Sequence, residues 1–500
     1  MGEPMGKLTF PFLNLISFCF FLLSTQCSLL ISFIPPSTLY KLWLPKHIKL
    51  QSILYYHVFK YYLFLFSISA AQSQSTLEDR LEALQCHFTW DIDPSRSKLL
   101  RLRDKLEDIG TEEGNSWLGH IYNLQGYIHY QLGFTEDARR FFSKAAEAFR
   151  RSRNTVSDEG PWLVVNYGNL AWLHHHLGEE AESQTYLSKV EALLTEYPPP
   201  SQVELHPEIY AEKAWTLMKF GKDKNLLAKA YFQRAIRIQS DMVEWNTSYV
   251  IALVDDVKYD DTPVGDDILE KMRVAKEQDP ENLYLAALYL IQRAKKGEKI
   301  EDEARELARK VLRNPVSSYS GIKPLLRVYR NDVSVDEAIA LAEEALEQHP
   351  DKRFLMRCAA LCYKWRISPL EQSEIDRAVS LHKKVISLYP QSSLVKKLDL
   401  AYIYAKSHRS QAEAEKIYQK LLKRDLEHVE TQLIYNYYAK YLYYDLKNRN
   451  KSIEYHMKAA EIPHQSYYRE NSIKVLKMIV KNNKSPMCGE IRKLLAKLKV

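Results

Sequence analysis

Residues 166–191 read NYGNLAWLHHHLGEEAESQTYLSKVE, and the fold follows from how small and large side chains are spaced along them. Ser183, Leu187 and Val190 stand at intervals of four and then three. Residues at i, i+4 and i+7 share one stripe of an α-helix, so this segment predicts a helix that offers a continuous apolar face to a neighbour. Tyr167, Ala171 and Gly178 precede it, as the matching face of a first helix.

The same spacing returns along more than 300 residues. It appears as Ala138/Phe142/Ala145, Ala228/Phe232/Ala235, Ala304/Ala308/Val311, Ala338/Ala342/Ala345, Ala378/His382/Val385, Ala414/Tyr418/Leu421 and Ser452/His456/Ala459. Tyr122, Gly126 and Gly133 precede the first of these at the offsets of Tyr167, Ala171 and Gly178. Pro350 and Pro390 follow the last small position by five residues, where proline stops a helix. Helix pairs of about 34 residues with small residues at fixed places are the tetratricopeptide pattern. The expected fold is all-α, a tetratricopeptide-repeat right-handed superhelical solenoid with a concave face lined by first helices. Spacing between triplets is irregular, and the long interval from Ala235 to Ala304 predicts a degenerate repeat that begins near Trp245. A stacking array also accounts for 500 residues, more than one core usually supports.

Composition bounds the partners. The formal charge is +7, but Lys7, Lys41, Lys46, Lys49 and Lys60 against Glu3 put a surplus of four in the first seventy residues, which leaves +3 for the rest. That balance permits a nucleic-acid partner without demanding one. Six cysteines without a CxxC pair give neither a zinc site nor a disulfide framework, and a reducing compartment, the cytoplasm, is the simplest reading.

From Leu8 to Ile34 no charge occurs, long enough for a membrane span or signal, yet Pro11 and several serines interrupt the run and the composition changes abruptly near Ala71. We read 1–68 as upstream sequence joined to a different protein, with a membrane anchor or a signal as the alternatives. The rest divides into 69–290, 291–425 and a basic, tyrosine-rich 426–500.

No phosphate-cradling GxxxxGK[ST], no GxSxG elbow and no HExxH is present, so no enzyme and no cofactor is expected. His174, His175 and His176 point about 100° apart on a helix and cannot chelate one ion together. A groove for single-stranded nucleic acid needs aromatic faces for bases and cations for phosphates. Trp215 and Lys219, one turn apart, supply both; Tyr249, Tyr284, Lys323, Arg327, Arg330, Arg357 and Lys364 are further candidates, and Tyr435 to Lys451 could lengthen the channel.

LEAL at 81–84 followed by CHFTWD at 86–91 resembles the opening of the interferon-induced proteins with tetratricopeptide repeats, and SAAQSQ at 69–74 resembles the start of some members. The resemblance continues through 166–191, PEIYAEKAWTLMKFG at 207–221 and ALCYK at 360–364. It implies a central pocket for the 5′ end of single-stranded viral RNA bearing a triphosphate or a cap without 2′-O-methylation, and a block of that RNA's translation. Carried over position by position, it implies RNA contacts for Trp215, Lys219, Lys105, Tyr249, Ile251, Asn282, Tyr284, Lys323 and Arg357. Ile109, Asn225 and Asp255 depart from the family pattern, where Gln, Tyr and Arg are expected. Other members act through protein partners. The expected partners are therefore the RNA 5′ end, other family members or translation and innate signalling proteins, and a second copy; a protein-binding scaffold is the alternative function, and a membrane-anchored repeat receptor the third.

Overall fold

The helix pair that opens the array shows how the spacing works. Helices α3 (Leu118–Gln131) and α4 (Thr135–Arg153) cross so closely that a Cβ on Gly126 would come within 2.6 Å of the Phe142 ring. The turn between them passes through Gly133 at φ +88°, a left-handed conformation that glycine adopts without a steric penalty. Helices α5 (Val164–His176) and α6 (Glu180–Glu196) repeat the arrangement, with Gly178 at φ +73°.

In the computed structural model this pairing continues to the end of the chain. The next pairs are α7 (Pro207–Leu217) with α8 (Lys222–Ile238), α9 (Val243–Asp255) with α10 (Asp266–Gln278), and α11 (Leu283–Lys295) with α12 (Glu301–Arg313). Then come α13 (Ile322–Val328), which runs through a π-helical turn at Tyr329–Val333 into α14 (Val335–Gln348), α15 (Arg353–Trp365) with α16 (Gln372–Leu388), and α17 (Leu394–Lys406) with α18 (Gln411–Leu422). Helices α19 (His428–Tyr444), α20 (Arg449–Glu461), α21 (Tyr467–Asn482) and α22 (Cys488–Lys497) close the array, after two helices that precede it, α1 (Leu77–Glu82) and α2 (Arg96–Ile109). Every residue of the eight triplets is buried. The long interval holds α9 and α10, and Ile268, Met272 and Ala275 repeat the four-then-three spacing there, with Met272 and Ala275 in the core.

The structure describes residues 76–109, 117–153, 159–201, 203–255, 262–313, 317–366, 371–407, 410–483 and 485–499. The apolar stretch read as 1–68 lies outside them. Among the described residues all regular structure is helical, and no helix is long and apolar enough to cross a membrane. Residues 79–500 form one unit, a right-handed superhelical solenoid.

Helix α2 does not belong to a repeat. It reaches across to residues far along the chain: Ser97 N donates to Glu427 Oε1 at 3.3 Å, Arg101 lies 4.0 Å from Glu430, and Ser318 N donates to the Asp108 carbonyl at 2.9 Å. It therefore ties the start of the array to α19.

A buried polar chain crosses the first three pairs. Asn166 Nδ2 donates to Asn123 Oδ1 at 2.7 Å, and Asn123 Nδ2 to Glu212 Oε1 at 2.8 Å. Burial, and after it the nearby Glu208, pushes the Glu212 carboxyl up to about 8, against 4.5 in the unfolded chain, while the Asn123 bond works the other way. The folded state thus holds a proton that the unfolded chain releases, so this position's share of stability is whole below pH 4.5 and is lost as pH rises toward 8. Glu212→Gln, which keeps the acceptor for Asn123, is expected to flatten that loss and to stabilise the protein by several kcal/mol at pH 8. Urea unfolding at pH 5, 6.5 and 8 measures it; an unchanged slope between the two proteins would refute the protonated state.

Candidate functional site

Among the described residues the concave side bears a large, half-open cavity of ≈ 1380 Å³. Its wall is assembled from α2 (Asp104, Lys105, Ile109), Trp117, α7 (Trp215) and the turn after it (Lys219), α9 (Ser248, Ile251, Asp255), the start of α11 (Asn282, Tyr284), the 317–320 loop, α13 (Lys323, Arg327), α15 (Arg357) and α17 (Lys396).

Trp215 anchors one end. It is 1% exposed, and its indole stacks on Trp117 with ring centres 5.6 Å apart and planes 16° from parallel. Lys219, one helical turn on, carries its ammonium 4.3 Å from the Trp215 ring centre and donates to Tyr319 Oη at 2.7 Å. Tyr319 in turn meets Tyr284 edge-on at 5.7 Å. An aromatic floor and a cation held above it are what a base and its phosphate require.

Eight of the nine residues carried over from the family, Lys105, Trp215, Lys219, Ile251, Asn282, Tyr284, Lys323 and Arg357, line this cavity. Tyr249 does not. Helix phase decides that: Thr247, Ser248, Ile251 and Asp255 form the stripe of α9 that faces in, and Tyr249 turns toward α8, where its hydroxyl accepts from Gln233 Nε2 at 2.7 Å. Asn282 also has a structural task, since its Oδ1 caps α11 by accepting from Leu285 N at 3.0 Å.

The three departures fall differently. Ile109 and Asp255 line the cavity, whereas Asn225 is buried elsewhere and donates to the Ala252 carbonyl at 2.9 Å. Charge in the cavity is mixed. Glu244 and Asp255 of α9 and Asp279 and Glu281 before α11 bring carboxylates, Lys323, Arg327 and Arg357 of α13 and α15 bring cations, and α2 and α17 bring both signs, Asp104 with Arg101 and Lys105, and Asp399 with Lys396.

Trp117, Tyr319 and Lys396 were not among the residues singled out from sequence. The first two lie on connections between helices, and no periodicity marks such positions. Nor did the sequence reveal that residues 86–90 fill the inner groove of the first repeats. His87 N donates to Asn169 Oδ1 at 3.0 Å, its ring nitrogen lies 3.1 Å from Thr216 Oγ1, and Phe88 stacks with Trp172 at 6.3 Å. Burial holds the His87 imidazole down to about 3, so it is neutral.

The three adjacent histidines go separate ways, His174 to Glu179 at 2.5 Å and His176 stacked on Tyr130. In the C-terminal part Tyr438 and Tyr441 pack on Tyr418 in the core, Tyr443 and Tyr444 are exposed, and none of them lines the cavity.

No family model matches the chain. Individual relatives do. It is 29% identical over 428 residues to the antiviral innate immune response effector IFIT1 of Macaca fascicularis, covering 81% of this chain and 87% of that one. Identity is 27% over 424 residues to human IFIT1 (81% and 87%) and 25% over 425 residues to human interferon-induced protein with tetratricopeptide repeats 2 (82% and 88%). The chain is a homologue of the interferon-induced proteins with tetratricopeptide repeats. Solved structures agree: a monomeric IFIT1 mutant with Gppp-AAAA superposes with a TM-score of 0.63 at 26% identity, over 85% of this chain and 97% of that one. The human IFIT1 dimer with PPP-AAAA gives 0.60 at 28%, over 84% and 96%.

Proposed function

We propose that this homologue of the interferon-induced proteins with tetratricopeptide repeats binds the 5′ end of single-stranded RNA in its central cavity and serves in the cytoplasm as an antiviral effector that withholds the bound RNA from translation, without catalysing a reaction. The observation that carries this reading is the convergence of Trp117, Trp215, Lys219 and Tyr319 in one cavity. The first base stacks at the indole pair and Lys219 takes a phosphate. Lys105, Lys323 and Arg357 continue the path, with Ile251, Asn282 and Tyr284 as its walls. Tyr249 supports the α8–α9 packing from outside it.

IFIT1 structures with Gppp-AAAA, with m7Gppp-AAAA and with PPP-AAAA place the relatives' ligand among 5′ ends of this kind. The human relative is a dimer, and a second copy or another family member is the expected protein partner here.

Asp255 favours a second reading, a protein-interaction scaffold. With Glu244, Asp279 and Glu281 it gives α9 and its neighbour an acidic wall where the family pattern has an arginine. Filter binding with 5′-triphosphate, capped and 5′-hydroxyl RNAs decides between the two. Preference for either modified end supports the RNA reading, and equal weak binding to all three rejects it in favour of the scaffold.

A further inference from the structure

The positive charge of the chain is gathered at its end. Residues 467–500 hold nine lysines and arginines against Glu470 and Glu490, a surplus of seven; with the surplus of four in the first seventy residues and +7 in all, the stretch between is left at −4. Helix α21 carries this surplus on a shaped surface. Along it runs a groove of ≈ 480 Å³ whose apolar part is Ile473 and Met478 and whose cations are Arg469, Lys474, Lys477 and Lys481. Helix spacing sets the pattern: Arg469, Ile473, Lys477 and Lys481 follow one another at every fourth position, and Lys474 and Met478 form the adjacent row.

Two features separate this groove from an ordinary solvated helix face. Cations on other exposed faces sit in ion pairs, as Arg273 of α10 does with Glu270 at 2.6 Å and Glu277 at 2.7 Å. Among the described residues Lys474, Lys477 and Lys481 are exposed and have no such partner, although Glu470 stands one turn before Lys474. The second feature is Met478, which is 54% exposed, while Ile473 beside it belongs to the core of the last helices. A flexible thioether at the surface suits an apolar side chain brought by a partner. Among the described residues no aromatic ring lines the groove, so it lacks the platforms on which single-stranded nucleic acid stacks. A second copy meeting it with the same face would set one cationic surface against another.

We propose that the groove of α21 is a docking site for an acidic amphipathic helix of another protein, whose apolar side chains rest on Ile473 and Met478 and whose carboxylates meet Lys474, Lys477 and Lys481. Helix α21 has 16 residues, about 24 Å of axis, so a partner of roughly four turns spans it. Long-range attraction to the basic end speeds encounter, and fit to the apolar part decides which acidic segments stay. None of these residues lines the central cavity, so the site stands apart from the RNA-end reading.

The test uses the whole protein and a fluorescent helical peptide of roughly four turns, with leucines on one face and glutamates on the other, read by anisotropy. Its controls are the same peptide with glutamine for glutamate and a scramble of identical composition. Wild type should bind the glutamate peptide at least tenfold more tightly than either control. Lys477→Glu combined with Lys481→Glu should weaken binding at least 20-fold, and Met478→Ser, which leaves the charge alone, about fivefold; both positions are exposed, and thermal melting checks that each variant is folded. Four outcomes would overturn the proposal. The glutamate peptide does not bind; the scramble binds as well, which leaves only diffuse charge attraction; Met478→Ser binds as wild type does; or 5′-hydroxyl oligoadenylate displaces the peptide and itself loses affinity for the double variant, which marks a nucleic-acid surface. Sedimentation covers the remaining occupant: self-association of wild type that the double variant alone loses would assign the face to a second copy instead.

Discussion

Trp215→Ala is expected to lower RNA-end affinity roughly 100-fold and to destabilise the fold by about 3–5 kcal/mol. Both effects come from one side chain in two roles. At 1% exposure the indole is core, wedged against Trp117 and beside His120, and truncation leaves a void that flanking rings cannot fill without shifting. It is also the surface over which Lys219 is held at 4.3 Å, so its loss frees the ammonium to wander from its place beside Tyr319. Trp215→Phe separates the roles. A smaller ring retains much of the packing and a π-face, so stability should fall by less than half as much while affinity drops about tenfold. Urea unfolding and equilibrium binding on the same preparations report the two quantities. Alanine binding RNA as wild type does would remove Trp215 from the site.

Asp255→Arg is expected to raise affinity for 5′-triphosphate RNA at least tenfold and to leave 5′-hydroxyl RNA nearly unaffected. The carboxylate faces the cavity shared with Lys219 and Lys323, so a triphosphate meets like charge there in a partly desolvated space; arginine replaces the repulsion with a two-pronged donor. The gain should shrink as salt is raised from 50 to 300 mM, since screening weakens both the lost repulsion and the new attraction. An unchanged preference among 5′ ends would mean that the phosphates are held beyond the reach of α9.

The repeats were legible because tetratricopeptide packing is short-range: Ser183, Leu187 and Val190 find partners within one helix pair, and spacing alone reports that. Even the degenerate pair α9–α10 could be placed from Trp245 onward. The cavity was legible only through family likeness, and unevenly. Likeness carried Tyr249 into the list, but the phase of α9 aims Ser248, Ile251 and Asp255 inward instead. It gave no hint of Asp108, whose partners Arg353 and Tyr389 stand 245 and 281 residues away. Contacts that depend on how the superhelix returns upon itself leave no periodic trace.

That return has a consequence for biosynthesis. Helix α2 leaves the ribosome early, and Glu427, the contact of its Ser97 just before α19, follows 330 residues later. At roughly 5–20 residues per second the interval is on the order of 15–70 s, during which the repeats can stack pair by pair but the ring cannot close. A nascent chain stalled before residue 427 should therefore present α2 with Ser97 and Arg101 unengaged at that end, open to proteases that the finished protein resists.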